Sequence, residues 1–305
     1  MPLFSARISW FALLLLLALT GCASKISRYD GDDAPVATAA GKIEPLHPTP
    51  RVALVLGGGG SRGFAHVGVL KALDAAGIKV DLVVGTSVGA LVGSLYAAGI
   101  SGEEIAKWSE NMSMKDLIDV SPLPPFTLRL DRLRQIVNIR VKARVGQTTI
   151  ERLPIRFAAA STRAGDGAAV SFHSGNVGAA VQASCAIRGF FAPLEIAGEQ
   201  YVDADLRAPV PIALARALGA ERVIAVDVAA YESSEPSGVP ETWKARDRFR
   251  RLATARELPL ADLVIHPDIG YFAPRSPDDY RRAIEIGEQA GRQALKDWDT
   301  LLSRH

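Results

Sequence analysis

Short apolar, β-branched runs alternate along this chain with stretches whose apolar residues recur at helical spacing. Val52 to Leu56 is bounded by a glycine run and reads as a buried parallel strand. Phe64 to Ala76 has helical spacing and stops at Gly77, the residue type that most often ends a helix. Val80 to Val84 predicts a second strand, and Val88 to Ala98 a second helix ended by Gly99; Ser101 and Glu104 form a capping box for the next helix. Further strands are expected at Ile155 to Ala160, Ala168 to Phe172, Arg222 to Val228 and Asp262 to His266. Helices are expected at 176–184, 209–218 and 278–299, the last announced by Ser276-Pro277-Asp278-Asp279. Residues 112–150 are Pro-rich at 122–125, then basic and amphipathic, with a helix near 130–140. The alternation predicts an α/β fold: a three-layer α/β/α sandwich around a mostly parallel sheet.

The N-terminal stretch has a different character. Trp10 to Leu19 is an unbroken apolar run with Arg7 before it, about the length of a secretory signal core and too short to span a membrane comfortably. It ends Leu19-Thr20-Gly21-Cys22, which resembles a bacterial lipobox. The expectation is a signal peptide at 1–21, a lipid-modified Cys22 and, because Ala23 and not Asp follows it, an outer-membrane location facing the periplasm. Residues 22–50, rich in Ala, Pro, Gly, Asp and Thr with no apolar period, read as a flexible tether. Order is expected from Arg51, with one domain over 51–305: a core at 51–230 and a C-terminal extension at 231–305.

Composition narrows the function classes. With 48% hydrophobic and 22% charged residues the chain is neither disordered nor a coiled coil. A net charge of +2 gives no general footprint for nucleic acid. Two cysteines exclude a disulfide framework and a four-thiolate zinc site, and Cys185 reads as a small core residue. One local charge run stands out. Lys244, Arg246, Arg248, Arg250, Arg251 and Arg256 face a single acid, Asp247, with Trp243 and Phe249 alongside. It reads as a solvated helix face or as a surface for anionic head groups.

Two glycine motifs carry the chemistry. Gly57-Gly58-Gly59-Gly60-Ser61-Arg62-Gly63 follows the first strand and opens the first helix. Glycines there allow a sharp turn and leave amide N–H groups aimed at an anion, whether a pyrophosphate or an oxyanion. A dinucleotide site would want an acid at the end of the second strand, but Asp81 sits at its start; a P-loop would want Lys where Phe64 stands. Gly85-Thr86-Ser87-Val88-Gly89 is G-x-S-x-G directly before a helix, the setting of a nucleophilic serine. Gly59-Gly60-Ser61-Arg62-Gly63 repeats the pattern inside the glycine run, where an amide-donor role suits Ser61 better. His47 and His305 lie near the ends; His66, His173 and His266 are the remaining candidates for a base.

Together these motifs resemble the patatin-like phospholipase family: a Gly-Gly-Gly-x-Arg-Gly loop, G-x-S-x-G about two dozen residues later, and a late aspartate segment. Ala183-Ser184-Cys185-Ala186-Ile187-Arg188-Gly189-Phe190-Phe191-Ala192-Pro193 resembles the stretch before that aspartate, and Tyr201-Val202-Asp203-Ala204-Asp205-Leu206 sits where it belongs. The resemblance implies a lipid acyl hydrolase without metal, organic cofactor or catalytic histidine, acting on a phospholipid or other acyl ester. Ser87 would be the nucleophile in an elbow of Gly85, Thr86, Val88 and Gly89. Asp203 would be the base, and the oxyanion would be held by Gly58, Gly59, Gly60 and Ser61 with Arg62 and Gly63. Arg188 stands where the family usually has Pro, Ala204 where it has Gly, and Asp205 where it has Gly or Ala. A Gly-to-Ala change matters where φ is positive, and a second carboxylate beside Asp203 raises a pKa of the pair. The competing readings are a nucleotide-binding protein using the glycine loop and an inactive, membrane-tethered binding protein.

Overall fold

The computed structural model describes residues 26–110, 112–121, 126–271 and 274–298. The apolar leader, Cys22, the Pro-rich 122–125 stretch and His305 lie outside the described residues.

In chain order the first elements are β1 (Ser27–Tyr29), β2 (Ala37–Ala39), β3 (Val52–Leu56), α1 (Phe64–Ala75), β4 (Leu82–Thr86), α2 (Val88–Ala97) and α3 (Gly102–Ser109). Then come β5 (Asp119–Val120), β6 (Leu128–Arg129), α4 (Asp131–Val145), β7 (Arg156–Arg163), β8 (Ala169–Phe172), α5 (Val177–Cys185), β9 (Leu194–Ile196) and β10 (Glu199–Asp203). The last are α6 (Ile212–Ala217), β11 (Arg222–Val226), α7 (Glu241–Glu257), β12 (Leu263–Ile265) and α8 (Pro277–Ala294). The main sheet runs β1-β9-β10-β7-β4-β3-β11-β12. Its centre, β7-β4-β3-β11-β12, is parallel throughout, while β8 and β10 join β7 antiparallel.

The side-chain period of two divides the core. Leu54, Leu56, Val83, Phe157, Ile224 and Val226 face one apolar cluster; Ala53, Val55, Leu82, Val84, Ala158 and Val223 face the other. Residues of α1–α5 and α8 fill the first cluster, and Ile212 and Ala215 of α6 cover the second. Helices therefore lie on both faces of the sheet, as the alternation predicts. Helices α1 and α8 touch backbone to backbone: a Cβ at Gly68 would stand 1.9 Å from Ile284 O, and one at Gly287 would stand 2.0 Å from Ala65 O.

The stretch read as a tether is a correction. Residues 27–29 pair in parallel with β9, and 37–39 pair antiparallel with β8. Asn176 N–H donates to Asp33 O at 2.7 Å, and Leu46 N–H to Leu218 O at 3.0 Å. Three-residue edge strands are held mainly by backbone hydrogen bonds, so they leave no apolar period to read. Several boundaries also move, three of them near the site or its supports. The second strand, expected at Val80 to Val84, runs from Leu82 to Thr86, so Ser87 follows it directly. The helix expected at 209–218 begins at Ile212, since Pro209 and Pro211 lack the N–H a helix interior uses. The helix near 130–140 extends to Val145 and closes on Gly146 at φ 85°.

Candidate active site

Strand register brings the two sequence motifs together. Thr86, the last residue of β4, lies opposite Ala160 of β7, and Asp203, the last of β10, lies opposite the next residue, Ser161. The chain then turns at Ser87, which takes φ 56°, ψ −125°. This is a costly conformation for a residue with a Cβ, of the kind found where a turn is held for function. Several contacts hold it. Ser87 N–H donates to Ser184 Oγ at 2.9 Å, Ser184 Oγ–H to Ala160 O at 2.6 Å, and Thr86 Oγ1–H to Ala208 O at 2.7 Å. A Cβ at Gly89 would meet Leu56 O at 2.1 Å, so the second glycine of the elbow lets α2 cross this close to β3.

Asp203 sits beside Ser87. Its Oδ1 accepts the Asp205 N–H at 2.7 Å, while Oδ2 is buried with no hydrogen-bond partner. Burial, followed by the Asp205 charge, pushes its pKa up to about 7; Ser87, the Asp205 N–H and Arg250 pull it part of the way back. Burial and the Asp203 charge also push the Cys185 thiol well above its usual range, so this buried residue stays a neutral thiol at the back of the site.

The glycine loop has a narrower reach than its sequence suggests. Gly58 N–H is spent on Pro209 O at 2.8 Å, the Ser61 hydroxyl on Pro274 O at 2.6 Å, and Arg62 Nη1 on Tyr271 O at 3.0 Å. Gly59, Gly60 and Arg62 line the cleft with Ser87 and Asp203; Gly58, Ser61 and Gly63 stand behind it. Of the six loop residues expected to hold an oxyanion, Gly59, Gly60 and Arg62 face the cleft. Gly60 takes φ 58°, as an amide-presenting turn requires.

The cleft holds about 940 Å³. Phe190, Leu206, Trp243 and Phe249 line it and are 40–59% exposed. Arg188 and Arg207 also line it, and neither has a carboxylate partner among the described residues. Ala204 keeps a negative φ, since Ser87 and Ala197 are the positive-φ non-glycine residues described; the change from Gly carries no backbone strain. The basic run on α7 is corrected in part. Arg246 and Arg250 point inward to Asp205, and Lys244, Arg248 and Arg251 pair with Glu235, Glu241 and Glu232. Sequence reasoning missed this inward turn, because a charge run carries no sign of which cations meet a distant acid.

None of the described histidines lines the cleft. His66 is fully buried, lowered to about 4 by desolvation, and its Nε2 lies 2.8 Å from Gly57 O, so the neutral ring donates there. His266 Nε2 lies 2.8 Å from Ala229 O with the ring stacked on Tyr231. His173 pairs with Ser171. Asp81 accepts the N–H groups of Arg51 and Val52, a structural task and not that of a ribose ligand. No group of three or more metal-ligating side chains occurs among the described residues.

Comparison with known proteins gives the family. The patatin-like phospholipase profile matches residues 54–216, more than half of the chain. An uncharacterized NTE family protein of Mycobacterium tuberculosis is 37% identical over 188 residues, covering 61% of this chain and 51% of its own. A lysophospholipase of Emericella nidulans is 31% identical over 246 residues, 77% of this chain and 16% of its own. The chain thus spans about half the length of the mycobacterial relative and a small part of the fungal one. Among solved structures, VipD from Legionella pneumophila superposes with a TM-score of 0.59 at 15% identity, covering 84% of this chain and 70% of its own, a likeness of fold. The chain belongs to the patatin-like phospholipase family.

Proposed function

We propose that the protein is a lipid acyl hydrolase working through a Ser87–Asp203 dyad. The observation that carries the reading is the buried, unpartnered Oδ2 of Asp203 beside a serine held at φ 56°. A buried polar atom without a partner asks for a reason. Here the reason is the serine proton. Ser87 Oγ attacks the ester carbonyl as its proton passes to Asp203, and the tetrahedral oxyanion forms against the N–H groups of Gly59 and Gly60, with Arg62 nearby. Collapse breaks the acyl–oxygen bond, and Asp203 returns the proton to the departing alcohol. Water then attacks the acyl-serine, losing its proton to Asp203, and the second collapse frees the acid and restores Ser87. A base with its pKa near the working pH suits both proton transfers.

The cleft supports a lipid substrate. Phe190, Leu206, Trp243 and Phe249 give an acyl chain apolar cover, and Arg188 and Arg207 offer charge to a phosphate head group. Burying such side chains against lipid is worth roughly 1.5–3 kcal/mol each. The test is fatty-acid release from phospholipid vesicles and from a short soluble acyl ester. Wild type is expected to hydrolyse both, and the Trp243→Ser/Phe249→Ser double variant to lose vesicle hydrolysis by a larger factor than soluble-ester hydrolysis. Equal losses on both substrates would remove the rim from the account; no turnover of any ester would sink the reading.

We also propose anchoring through Cys22. Mature protein is expected to begin at a lipid-bearing Cys22 at the outer membrane, several acyl chains being needed for stable attachment. Mass spectrometry of the N-terminal peptide checks it, and an unmodified Cys22 or a cleavage elsewhere refutes it.

A further inference from the structure

We infer that helix α7, from the C-terminal extension, is a working part of the catalytic centre, and that Arg250 is its positioning residue, clamping the aspartate loop and the glycine loop into one geometry. The inference rests on the dyad reading above. Arg250 is 5% exposed, and Asp205 8%. Arg250 Nε lies 2.8 Å from Asp205 Oδ1, and its Nη2 donates to Gly58 O at 3.1 Å. Arg246 Nη2 holds the other oxygen, Asp205 Oδ2, at 3.0 Å. Through its own N–H, Asp205 in turn holds Asp203. One arginine therefore touches both halves of the site: the carbonyl side of the peptide that leads into Gly59 and Gly60, and the acid next to the base.

The residues fit one another in a way that explains a departure from the family pattern. Asp205 stands where Gly or Ala is usual. A buried carboxylate there is tolerable only with a cation against it, and α7 supplies two, the buried Arg250 and the partly exposed Arg246. The loop makes room as well: a Cβ at Gly58 would come within 2.9 Å of Asp205 Oδ1. Arg246 and Arg250 both lie beyond the 54–216 span that matches the family profile, so the clamp belongs to this chain's extension.

The clamp has an electrostatic consequence. The charged and titratable groups around Asp203 are Asp205 on its own loop, Arg250 and Arg246 on α7, Cys185 on α5, and Arg188 and Arg207 at the cleft mouth, with Arg62 and Asp247 farther along the cleft. Asp205 raises the Asp203 pKa and Arg250 lowers it. Removing Asp205 alone leaves two cations beside the base, so the midpoint falls. Removing Arg250 alone leaves a carboxylate less compensated, so the midpoint rises.

The experiment follows Asp203 by carboxyl-carbon NMR in the full chain, beside the pH profile of kcat/KM. Asp205→Asn should move the Asp203 midpoint and the acid limb down, and Arg250→Met should move both up, each by about one pH unit. Arg250→Met should also cost on the order of 10²-fold in kcat by loosening the glycine loop. Arg250→Lys keeps the charge, so its midpoint should stay near wild type while kcat falls. Asp205→Asn/Arg250→Met should return the midpoint toward wild type. Should Arg250→Met not fold, the lowered midpoint of Asp205→Asn and the lowered kcat of Arg250→Lys decide the matter; a wild-type midpoint in the first or a full kcat in the second would overturn the inference. Midpoints that coincide with wild type in folded Asp205→Asn or Arg250→Met, or an Arg250→Met protein with full kcat, would overturn the inference. The NMR midpoint needs no turnover: shifted midpoints in a chain that hydrolyses no ester would leave the clamp standing and sink the hydrolase reading.

Discussion

Ser87→Ala is expected to lower kcat by a factor on the order of 10⁴ or more, leaving only what substrate binding and oxyanion stabilisation supply. The fold should survive. The replacement removes one oxygen from a residue 6% exposed, and the Ser87 N–H bond to Ser184 stays. Labelling by a fluorophosphonate should vanish with turnover, since both need the same activated oxygen. Ser61→Ala is the control. Its hydroxyl is spent on Pro274 O, so its loss should cost about 1 kcal/mol of loop stability and leave turnover measurable. An active Ser87→Ala beside an inactive Ser61→Ala would exchange the two roles.

Asp203→Asn should cut turnover by a factor on the order of 10³ while making the protein more stable at alkaline pH. The sign follows from linkage. The folded chain holds the Asp203 proton up to about pH 7, whereas the unfolded chain releases it near pH 4. Between those values the native state binds more protons than the unfolded state, so wild-type stability falls as pH rises through the window. Above pH 7 the whole cost of the buried charge is present. Asn carries no such charge, so the gain in Tm should be largest at pH 8 and fade toward pH 4. A loss of activity without that pH-dependent gain would mean that Asp203 is an ordinary structural acid. His66→Ala, His173→Ala and His266→Ala should each keep turnover where they fold, because every one of these rings is bonded elsewhere.

Much of this could be read from the residues in order, and the rest could not for identifiable reasons. The unbroken apolar runs of Val52–Leu56 and Val223–Val226 announce strands packed on both faces, and alternate residues of each run fall in the two apolar clusters. The elbow was legible because glycine at 85 and 89 and serine at 87 are local requirements of one tight turn. The strands at 27–29 and 37–39 were hidden, because their partners lie more than a hundred residues away and their side chains carry no pattern. The Arg250–Asp205 pair was hidden for a different reason. A run of cations reads as solvated until the fold turns two of them inward. The glycine loop showed what its backbone can do, but not which amides are already spent; that depends on Pro209 and Pro274, remote in sequence.

The central claim is that Ser87 is the atom that carries the acyl group, with Asp203 as its base. It is met most directly by exposing purified protein to a fluorophosphonate and locating the adduct by intact mass and peptide mapping across pH 5 to pH 9. The account predicts a single adduct on the peptide containing Ser87, formed faster as pH rises through about 7, where Asp203 loses its proton, and formed slowly at every pH in Asp203→Asn. An adduct on Ser61, no adduct on a folded protein, or labelling of Ser87 at an undiminished rate in Asp203→Asn would contradict it.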